Sequence, residues 1–246
     1  MTKLKKIALV TGVSRGSGLG FAMTKDLANL GYKVIITSRK EENSASLARQ
    51  LKDLQLDVEA KVLDVTNRDQ IQSLVDWIAA HFGKLDLLIN NAAILDIQYT
   101  GIDKTDLDFV QQEINTNFIG AWAMIKYCTP LLKQSERGII LNISSGMGAF
   151  HDKDMGLLNF DKATIPNYSL SKLIMNGLTV KAAKDLKDDG ILVNAACPGF
   201  TATYEAFVAM GARPIEESLP GLTWAATLPD GDKSGQFFRD KELLPW

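Results

Sequence analysis

The chain has 246 residues, 46% of them hydrophobic and 23% charged, which is the composition of an ordinary globular protein. Its net charge of −2 provides no basic surface for nucleic acid or an anionic membrane, and its two cysteines exclude a disulfide framework. The two histidines stand apart from other metal-binding residues, so we expect no metal site. No apolar run has the length of a signal peptide or a membrane span, which makes the cytoplasm the expected compartment.

Strand-like and helix-like segments alternate from end to end. Six short apolar runs predict strands, in the order KIALVTG, KVIITSR, VEAKVLDV, LDLLINNA, GIILNISS and ILVNAACPG. Because these runs are apolar on both faces, they favour a parallel sheet covered by helices on both sides. The pattern predicts a single α/β domain with a doubly wound sheet, the Rossmann fold. Only residues 200 to about 229 break it, and there we expect a substrate flap with a short helix starting near Ser218.

A glycine-rich turn, TGVSRGSGLG at residues 11–20, follows the first strand and opens the first helix. Glycines leave the backbone bare for a close approach by a pyrophosphate, and the helix N-terminus supplies free N–H groups. A plain tight turn is the alternative, but the strand–turn–helix context favours dinucleotide binding. The residues that we expect to contact the dinucleotide here are Gly12, Ser14, Arg15, Gly16, Gly18, Leu19 and Gly20.

The end of the second strand reads TSRK, with Arg39 where an NAD site usually places an acidic residue. An arginine binds a 2′-phosphate, whereas a carboxylate would repel it. Arg15 in the glycine turn is placed to reach the same phosphate from the other side. Two ordinary surface arginines are the alternative, and their positions favour NADP(H).

The stretch NYSLSK places Tyr168 and Lys172 four residues apart, on one face of a predicted helix that starts near Pro166. A positive charge favours the ionised phenol, so the pairing predicts a lowered pKa for Tyr168 and a role in proton transfer. In isolation, a half-exposed tyrosine beside a solvated lysine is the commoner explanation of this pattern.

Seven motifs in order make the chain resemble the short-chain dehydrogenase/reductase family over residues 7–199. They are TGVSRGSG, DV at 64–65, NNAA, TNFIG, NISSGMG, YSLSK and PGFTAT. The C-terminal SGQFFRDKELLPW is similar to carbonyl-reductase-like members. In this context Tyr168 is expected to be a catalytic residue.

The resemblance implies a role for each matching position. Tyr168 matches the acid/base, Lys172 the lysine that assists it and holds the nicotinamide ribose, and Ser145 the serine that binds the substrate carbonyl. Asn117 matches an asparagine that keeps a proton-relay water near the lysine. The remaining matches imply cofactor contacts: Asp64 and Val65 at the adenine, Asn91 at the adenosine ribose, and Thr201 and Thr203 at the carboxamide.

Three departures from the family pattern stand out. Ala93 replaces a usual glycine, Thr201 replaces a usual apolar residue, and Tyr168 follows Ser145 by 23 positions, more than the fold needs. An apolar substrate pocket is expected from Met147, Ile94, Leu95, Phe200 and Tyr204, although some of these fit a core role equally well. His151 reads as a surface residue and Cys197 as a small buried filler.

The leading functional prediction is NADPH-dependent reduction of an aldehyde or ketone, with a small-molecule carbonyl or alcohol as the partner. An NADP-dependent alcohol dehydrogenase working oxidatively is the first alternative, and a non-catalytic dinucleotide sensor is the second. A monomer is slightly favoured over a homodimer or homotetramer. The reason is that the long 146–167 segment, with apolar Met155, Leu157, Leu158 and Phe160, is expected to cover the helix pair through which many relatives associate. Arching over the substrate pocket is its alternative placement.

Overall fold

The computed structural model describes residues 5–95, 101–159, 165–228 and 233–246. These residues contain eight strands in one sheet, with the order β3-β2-β1-β4-β5-β6-β7-β8. The strands are β1 Ile7–Val10, β2 Lys33–Ser38, β3 Val58–Val62, β4 Leu87–Asn90, β5 Ile139–Ile143, β6 Leu192–Ala196, β7 Phe237–Arg239 and β8 Glu242–Leu243. Neighbouring strands from β3 to β7 are parallel and β8 is antiparallel. The single Rossmann-type α/β domain is therefore confirmed.

Eight helices connect and cover the strands within the described residues. They are α1 Leu19–Asn29, α2 Glu41–Asp53, α3 Arg68–Phe82, α4 Leu107–Ile114, α5 Ala121–Leu132, α6 Pro166–Asp185, α7 Glu205–Ala209 and α8 Ile215–Thr227. A π-helical turn at Asn115–Gly120 joins α4 to α5. None of these helices combines the length and the apolar character needed to cross a membrane.

Two hydrophobic layers hold the helices against opposite faces of the sheet. One layer buries residues of α3, α5 and α6, and the other buries residues of α1, α2 and α8. Consecutive strand residues point to opposite faces, so in β1 Leu9 enters the first layer and Val10 the second. This arrangement explains why the strands are apolar on both sides.

The 200–229 segment contains two different structures. Helix α8 begins at Ile215, three residues before the expected start near Ser218, and its Leu222 and Ala225 lie in the second core layer. Helix α7 is short, and most of its residues are exposed. A substrate flap therefore stays a proposal, and the residues that fit it best are 200–212, before α8.

The described part of the long 146–167 segment packs towards the C-terminal edge of the sheet. Asp152 is fully buried and forms an ion pair with Arg239 of β7, and Met155 packs on a small core cluster with Leu244 and Trp246. Leu158 remains largely exposed, and Phe160 lies outside the described residues. This placement favours the pocket alternative and removes the argument that linked the segment to a monomer.

Candidate active site

A cavity of about 2000 Å³ opens at the carboxyl edge of the sheet, where the strand order changes direction between β1 and β4. Doubly wound sheets bind their ligands at this position. The cavity wall contains nearly all the residues that the sequence indicates: Gly12, Ser14, Arg15, Gly18, Leu19, Gly20, Arg39, Asp64, Val65, Asn91, Ser145, Tyr168, Lys172, Thr201 and Thr203. Gly16 and Asn117 are not part of the wall.

The glycine turn is shaped by close backbone contacts. Gly12 has a φ of +72°, and a Cβ at this position would lie 2.5 Å from Ala92 Cα. Gly18 caps α1 without a side-chain hydrogen bond, so the first turn of the helix presents backbone N–H groups at the cavity. Bare backbone followed by an open helix N-terminus fits the pyrophosphate of a dinucleotide.

Asn91 fastens the glycine turn to the sheet. Its Nδ2 donates to the carbonyl oxygens of Thr11 at 2.8 Å and Gly12 at 3.2 Å. A Cβ on Gly20 would lie 2.7 Å from the same nitrogen, which explains the glycine there. Asn91 thus has a structural role as well as a place in the cavity wall. Ala93 does not adopt a positive φ, so its replacement of the family's usual glycine strains no backbone.

A basic rim follows the second strand. Arg39 is exposed in the cavity wall and makes no hydrogen bond or ion pair with the described residues. Lys40 and Asn43 lie beside it in the wall and were not predicted from the sequence, although they directly follow the TSR motif. Arg15 differs from Arg39, because its guanidinium stacks 4.0 Å from the centre of the Tyr204 ring.

Helix α6 carries Tyr168 and Lys172 into the cavity. Pro166 occupies its first turn, where a missing backbone N–H costs nothing. Tyr168 is half-buried, and Lys172 is only 2% exposed. The Lys172 Nζ donates to the Ile143 carbonyl oxygen at 2.8 Å and lies 5.5 Å from the centre of the Tyr168 ring. The pair predicted from NYSLSK therefore does meet in space.

The pKa values of this pair shift in a different direction from the one that the pairing alone predicts. Burial raises the pKa of Tyr168 above its ordinary value, and a hydrogen bond with Ser145 acts in the opposite direction. Burial also lowers the pKa of Lys172 to about 8, against the charge of Glu113, which raises it. The reason is that removal from water disfavours both charged forms more than the partners favour them. At neutral pH the phenol is held protonated, and the amine titrates close to neutrality.

The two neighbouring serines have different partners. Ser144 donates its hydroxyl to the Asn176 side chain at 2.5 Å, which turns it towards α6. Both serines lie in the cavity wall, but the Ser145 Oγ has a different contact and accepts from the Met147 N–H at 3.2 Å. The Ser145 hydroxyl can still donate its own proton, and its interaction with Tyr168 acts to lower the pKa of the phenol. This difference supports the choice of Ser145 over Ser144.

Asn117 lies in the π-helical turn and is fully buried. Its Oδ1 accepts from the Ile94 N–H at 2.7 Å, and its Nδ2 donates to the Ile94 carbonyl at 2.9 Å and to Ser171 Oγ at 3.0 Å. These bonds join the loop after β4 to α6. The relay-water role of Asn117 stays a prediction, and its visible contacts are those of a residue that positions the site.

Thr201 and Thr203 lie after β6. The Thr201 hydroxyl donates to the Pro198 carbonyl at 2.7 Å and shares a hydrogen bond of 2.7 Å with Ser218. The side chain of Thr201 therefore joins this loop to α8, and its carboxamide contact stays a prediction for the backbone. The buried Cys197 accepts from the backbone N–H groups of Gly146 and Gly199, as a structural filler would. His151 is exposed.

The substrate end of the cavity combines apolar residues with charged ones, among them Lys153, Asp154 and Arg239. Its wall includes all five predicted residues, Met147, Ile94, Leu95, Phe200 and Tyr204. Met155, from the segment whose alternative placement was over the pocket, also lies in the wall. Sequence reasoning missed others: Phe207, Met210, Leu243 and Leu244. The last two belong to the β7–β8 hairpin, whose turn residues Asp240 and Lys241 take positive φ without a glycine. The usual sequence signal of a hairpin turn is therefore lacking.

Residues 6–207 match the model of the family described as short chain dehydrogenase. This chain belongs to the short-chain dehydrogenase family. As a member of this family it is an NAD(P)-dependent oxidoreductase that acts on CH–OH or C=O groups.

Two curated relatives and one solved structure are similar to the chain. The 3-oxoacyl-[acyl-carrier-protein] reductase FabG of Thermotoga maritima is 33% identical over 216 residues, covering 87% of this chain and 78% of its own. Carbonyl reductase [NADPH] 1 of Rattus norvegicus is 29% identical over 290 residues and is covered completely, as is this chain. A solved gluconate 5-dehydrogenase of Burkholderia cenocepacia, in complex with NADP and tartrate, shares the fold with a TM-score of 0.81. It is 24% identical, and the likeness covers 95% of this chain and 92% of that one.

Proposed function

We propose that the chain reduces the carbonyl of a small aldehyde or ketone to an alcohol with NADPH, with Tyr168 as the proton donor. The observation that carries this proposal is the convergence of Ser145, Tyr168 and Lys172 in one cavity wall with the glycine turn. The wall holds a phenol, a hydroxyl and a buried amine together with the glycine turn, and these groups suit a proton donor, a carbonyl-binding group and a lysine that assists them. The apolar residues of the wall fit the apolar part of a substrate.

NADP(H) is the proposed cofactor. The cradle at Gly12 and Gly18 fits its pyrophosphate, and Arg39 is available for a 2′-phosphate. No carboxylate takes the place of Arg39 at the end of β2. The names of a similar carbonyl reductase, which is called NADPH-dependent, and of a solved neighbour that holds NADP support the same choice. When bound, the reduced nicotinamide supplies the hydride.

The chain's own residues stabilise the oxygen that becomes negative during reduction. The Ser145 hydroxyl donates a hydrogen bond to this oxygen, and Tyr168 donates a bond and then its proton. Because burial raises the pKa of Tyr168, the phenol stays protonated until it transfers its proton to the negatively charged substrate oxygen. Lys172, with its pKa lowered to about 8, exchanges protons readily near neutral pH and is placed to restore the one that Tyr168 gives up.

The two alternatives predict different behaviour. Oxidation of an alcohol needs Tyr168 as a proton acceptor, and the raised pKa makes the phenolate harder to form. A catalyst accelerates both directions, however, so the ratio of NADPH to NADP decides which of them runs. A dinucleotide sensor without activity would have no need for a buried lysine beside a tyrosine, and both are present.

The experiment is a panel of aldehydes, ketones, quinones and alcohols, followed by the absorbance of NADPH. Tyr168→Phe should still bind NADPH but lose about 10²–10⁴-fold in turnover, because a positioned proton donor is removed. Tyr127→Phe on α5, outside the cavity wall, is the matched control and should retain full activity. Turnover of Tyr168→Phe within a few-fold of the wild type would contradict the assignment.

The assembly and the compartment stay predictions. The monomer was expected because the long segment would cover a helix pair, and that segment lies against β7 instead. Light scattering, compared with the chain mass of 27.0 kDa, decides between a monomer and a larger assembly.

The cytoplasmic location is supported by the two buried cysteines, which are free thiols.

A further inference from the structure

The turn that carries Ser145 lies directly on helix α6, which carries Tyr168 and Lys172. The turn follows β5 and includes a short 3-10 helix at Gly146–Gly148. A Cβ on Gly148 would lie 2.5 Å from the carbonyl carbon of Lys172, so only a glycine lets the turn approach the helix this closely. The position of Ser145 relative to Tyr168 therefore depends on how this serine turn, residues 144–148, is held against α6.

Asn176 of α6 bonds to both ends of the serine turn. Its Oδ1 accepts from the Ser144 hydroxyl at 2.5 Å, and its Nδ2 donates to the Gly148 carbonyl oxygen at 3.0 Å. Ser144 directly precedes Ser145, and Gly148 follows it by three residues. The oxygen and the nitrogen of one amide group thus hold the chain on both sides of Ser145.

Asn176 shares a helix face with the residues that act together with Ser145. Tyr168, Lys172 and Asn176 follow one another at intervals of four residues along α6. Lys172 bonds to the same part of the chain, because its Nζ donates to the carbonyl oxygen of Ile143, two residues before Ser145. The helix face that carries the phenol and the amine therefore also carries the amide that fastens the serine turn.

An asparagine at this place has a cost that its hydrogen bonds must offset. Asn176 is only 3% exposed and lies inside a helix, where asparagine is less favourable than alanine or leucine. A buried amide is tolerated when its polar atoms are paired, and here both partners belong to the serine turn. The motifs that indicate the family do not include Asn176, and the proton transfer described above does not use it.

We propose that Asn176 is a positioning residue for carbonyl reduction, which holds the Ser145 hydroxyl at a fixed place relative to Tyr168 by fastening both ends of the serine turn to α6. The inference rests on the proposed function for its consequence in catalysis. Two donors must meet at one oxygen, and a displacement of about 1 Å at a reacting group can cost about 10²-fold in rate. Asn176 acts through Ser145, because Asn176 itself lies outside the cavity wall.

Asn176→Leu keeps the approximate size of the side chain and removes both bonds. The kcat for carbonyl reduction should fall by about 10–100-fold, because the Ser145 hydroxyl is no longer held in place. The dissociation constant of NADPH should stay close to the wild-type value, since the glycine turn and Arg39 lie at β1 and β2. A wild-type kcat in folded Asn176→Leu would overturn the proposal.

Asn194→Leu is the matched control for the loss of a buried amide. Asn194 of β6 is fully buried and also bonds to a loop, through the Lys233 carbonyl oxygen at 2.7 Å and the Gln236 N–H at 2.9 Å. It lies outside the cavity wall. Asn194→Leu should lower the free energy of unfolding as Asn176→Leu does, but it should retain the wild-type kcat. An equal fall of kcat in both variants would show a general effect of lost stability and contradict a specific role of Asn176.

The background of Ser145→Ala shows whether Asn176 acts through Ser145. Once the serine hydroxyl is absent, its position has no effect, so adding Asn176→Leu should lower the remaining kcat by less than about threefold. Independent effects would instead multiply the two losses, because free energies of independent sites add. A fully multiplied loss would overturn the proposal.

Ser144→Ala is a second variant, for the case that Asn176→Leu does not fold. It removes one of the two bonds, and the bond to Gly148 remains, so kcat should fall by about 3–10-fold. The loss should again be small in the Ser145→Ala background. A wild-type kcat in Ser144→Ala would then decide against the proposal.

Hydrogen exchange tests the serine turn without any activity. The Met147 N–H donates to Ser145 Oγ at 3.2 Å, and the Gly148 N–H donates to the Ser145 carbonyl oxygen at 3.0 Å. Measured by NMR, both amides should exchange faster in Asn176→Leu than in the wild type or in Asn194→Leu, because the turn opens more often. If the wild type reduces no carbonyl compound, the proposed function fails, and this measurement still shows whether Asn176 holds the turn. Unchanged exchange of both amides would overturn that role.

Discussion

Replacement of Lys172 by methionine should stabilise the fold while abolishing activity. Lys172 is 2% exposed, and its pKa falls from 10.5 to about 8. This difference in pKa corresponds to a loss of about 3 kcal/mol in the free energy of unfolding, because the amine is charged in a buried position. Methionine has a similar length and no charge, but it loses the hydrogen bond to the Ile143 carbonyl, which is worth about 1 kcal/mol. The free energy of unfolding at pH 7 should therefore rise by about 2 kcal/mol, taking these two contributions together.

The stability difference between Lys172→Met and the wild type should depend on pH, because the cost of burying the amine exists only where the amine is charged. Below pH 8 the amine is charged in both the folded and the unfolded chain, and the folded state bears the full cost of burying the charge. Above 10.5, the ordinary pKa, the amine is neutral in both states and the cost disappears. The advantage of Lys172→Met is thus greatest below pH 8 and should decline to about zero near pH 10, where the lost hydrogen bond offsets what remains.

Urea unfolding of both proteins at several pH values between 7 and 10 measures this difference. Lys181→Met is the matched control, because Lys181 lies on the same helix in an exposed pair with Asp185, and such pairs contribute little. Its effect should be within about 0.5 kcal/mol and nearly independent of pH. A Lys172→Met protein that is less stable than the wild type at pH 7, or a difference that does not change up to pH 10, would refute the reasoning.

Two further substitutions test the rim and the long segment. Arg39→Asp should weaken NADPH binding by about 10–100-fold and narrow or invert the preference for NADPH over NADH, because repulsion replaces a charge-assisted bond to the 2′-phosphate. Titration of the protein with each cofactor measures this change. An equal loss of affinity in Arg49→Asp, on the exposed face of α2, would speak against a specific contact. Arg239→Met should lower the free energy of unfolding by about 3 kcal/mol, because Asp152 stays buried without its cation. A loss below about 1 kcal/mol in urea unfolding would show that the Arg239–Asp152 pair does not anchor the 146–167 segment.

The fold was predictable because its strands carry a strong and regular signal. Residues such as Leu9 and Val10 enter opposite core layers, so the strands are apolar throughout, and the alternation with helices leaves little choice of topology. The stretch EINTNFIGAWAMIKYCTPLLKQ predicts one long helix around Asn117, but the structure divides it into the end of α4, a π-helical turn and α5. A π-helical turn is one inserted residue in a helix that otherwise looks continuous, and sequence periodicity is too coarse to detect it.

The candidate site was predictable where chemistry depends on motifs and was missed where it depends on packing. Tyr168, Lys172, Ser145 and Gly12 belong to local patterns whose residue types carry their own chemical meaning. Glu113 belongs to no such pattern, and only the packing of α4 beside α6 brings it to Asn167. The expected fall in the pKa of Tyr168 failed for the same reason. A spacing of four residues shows that a lysine is near, but burial depends on the whole fold, and burial decides the sign.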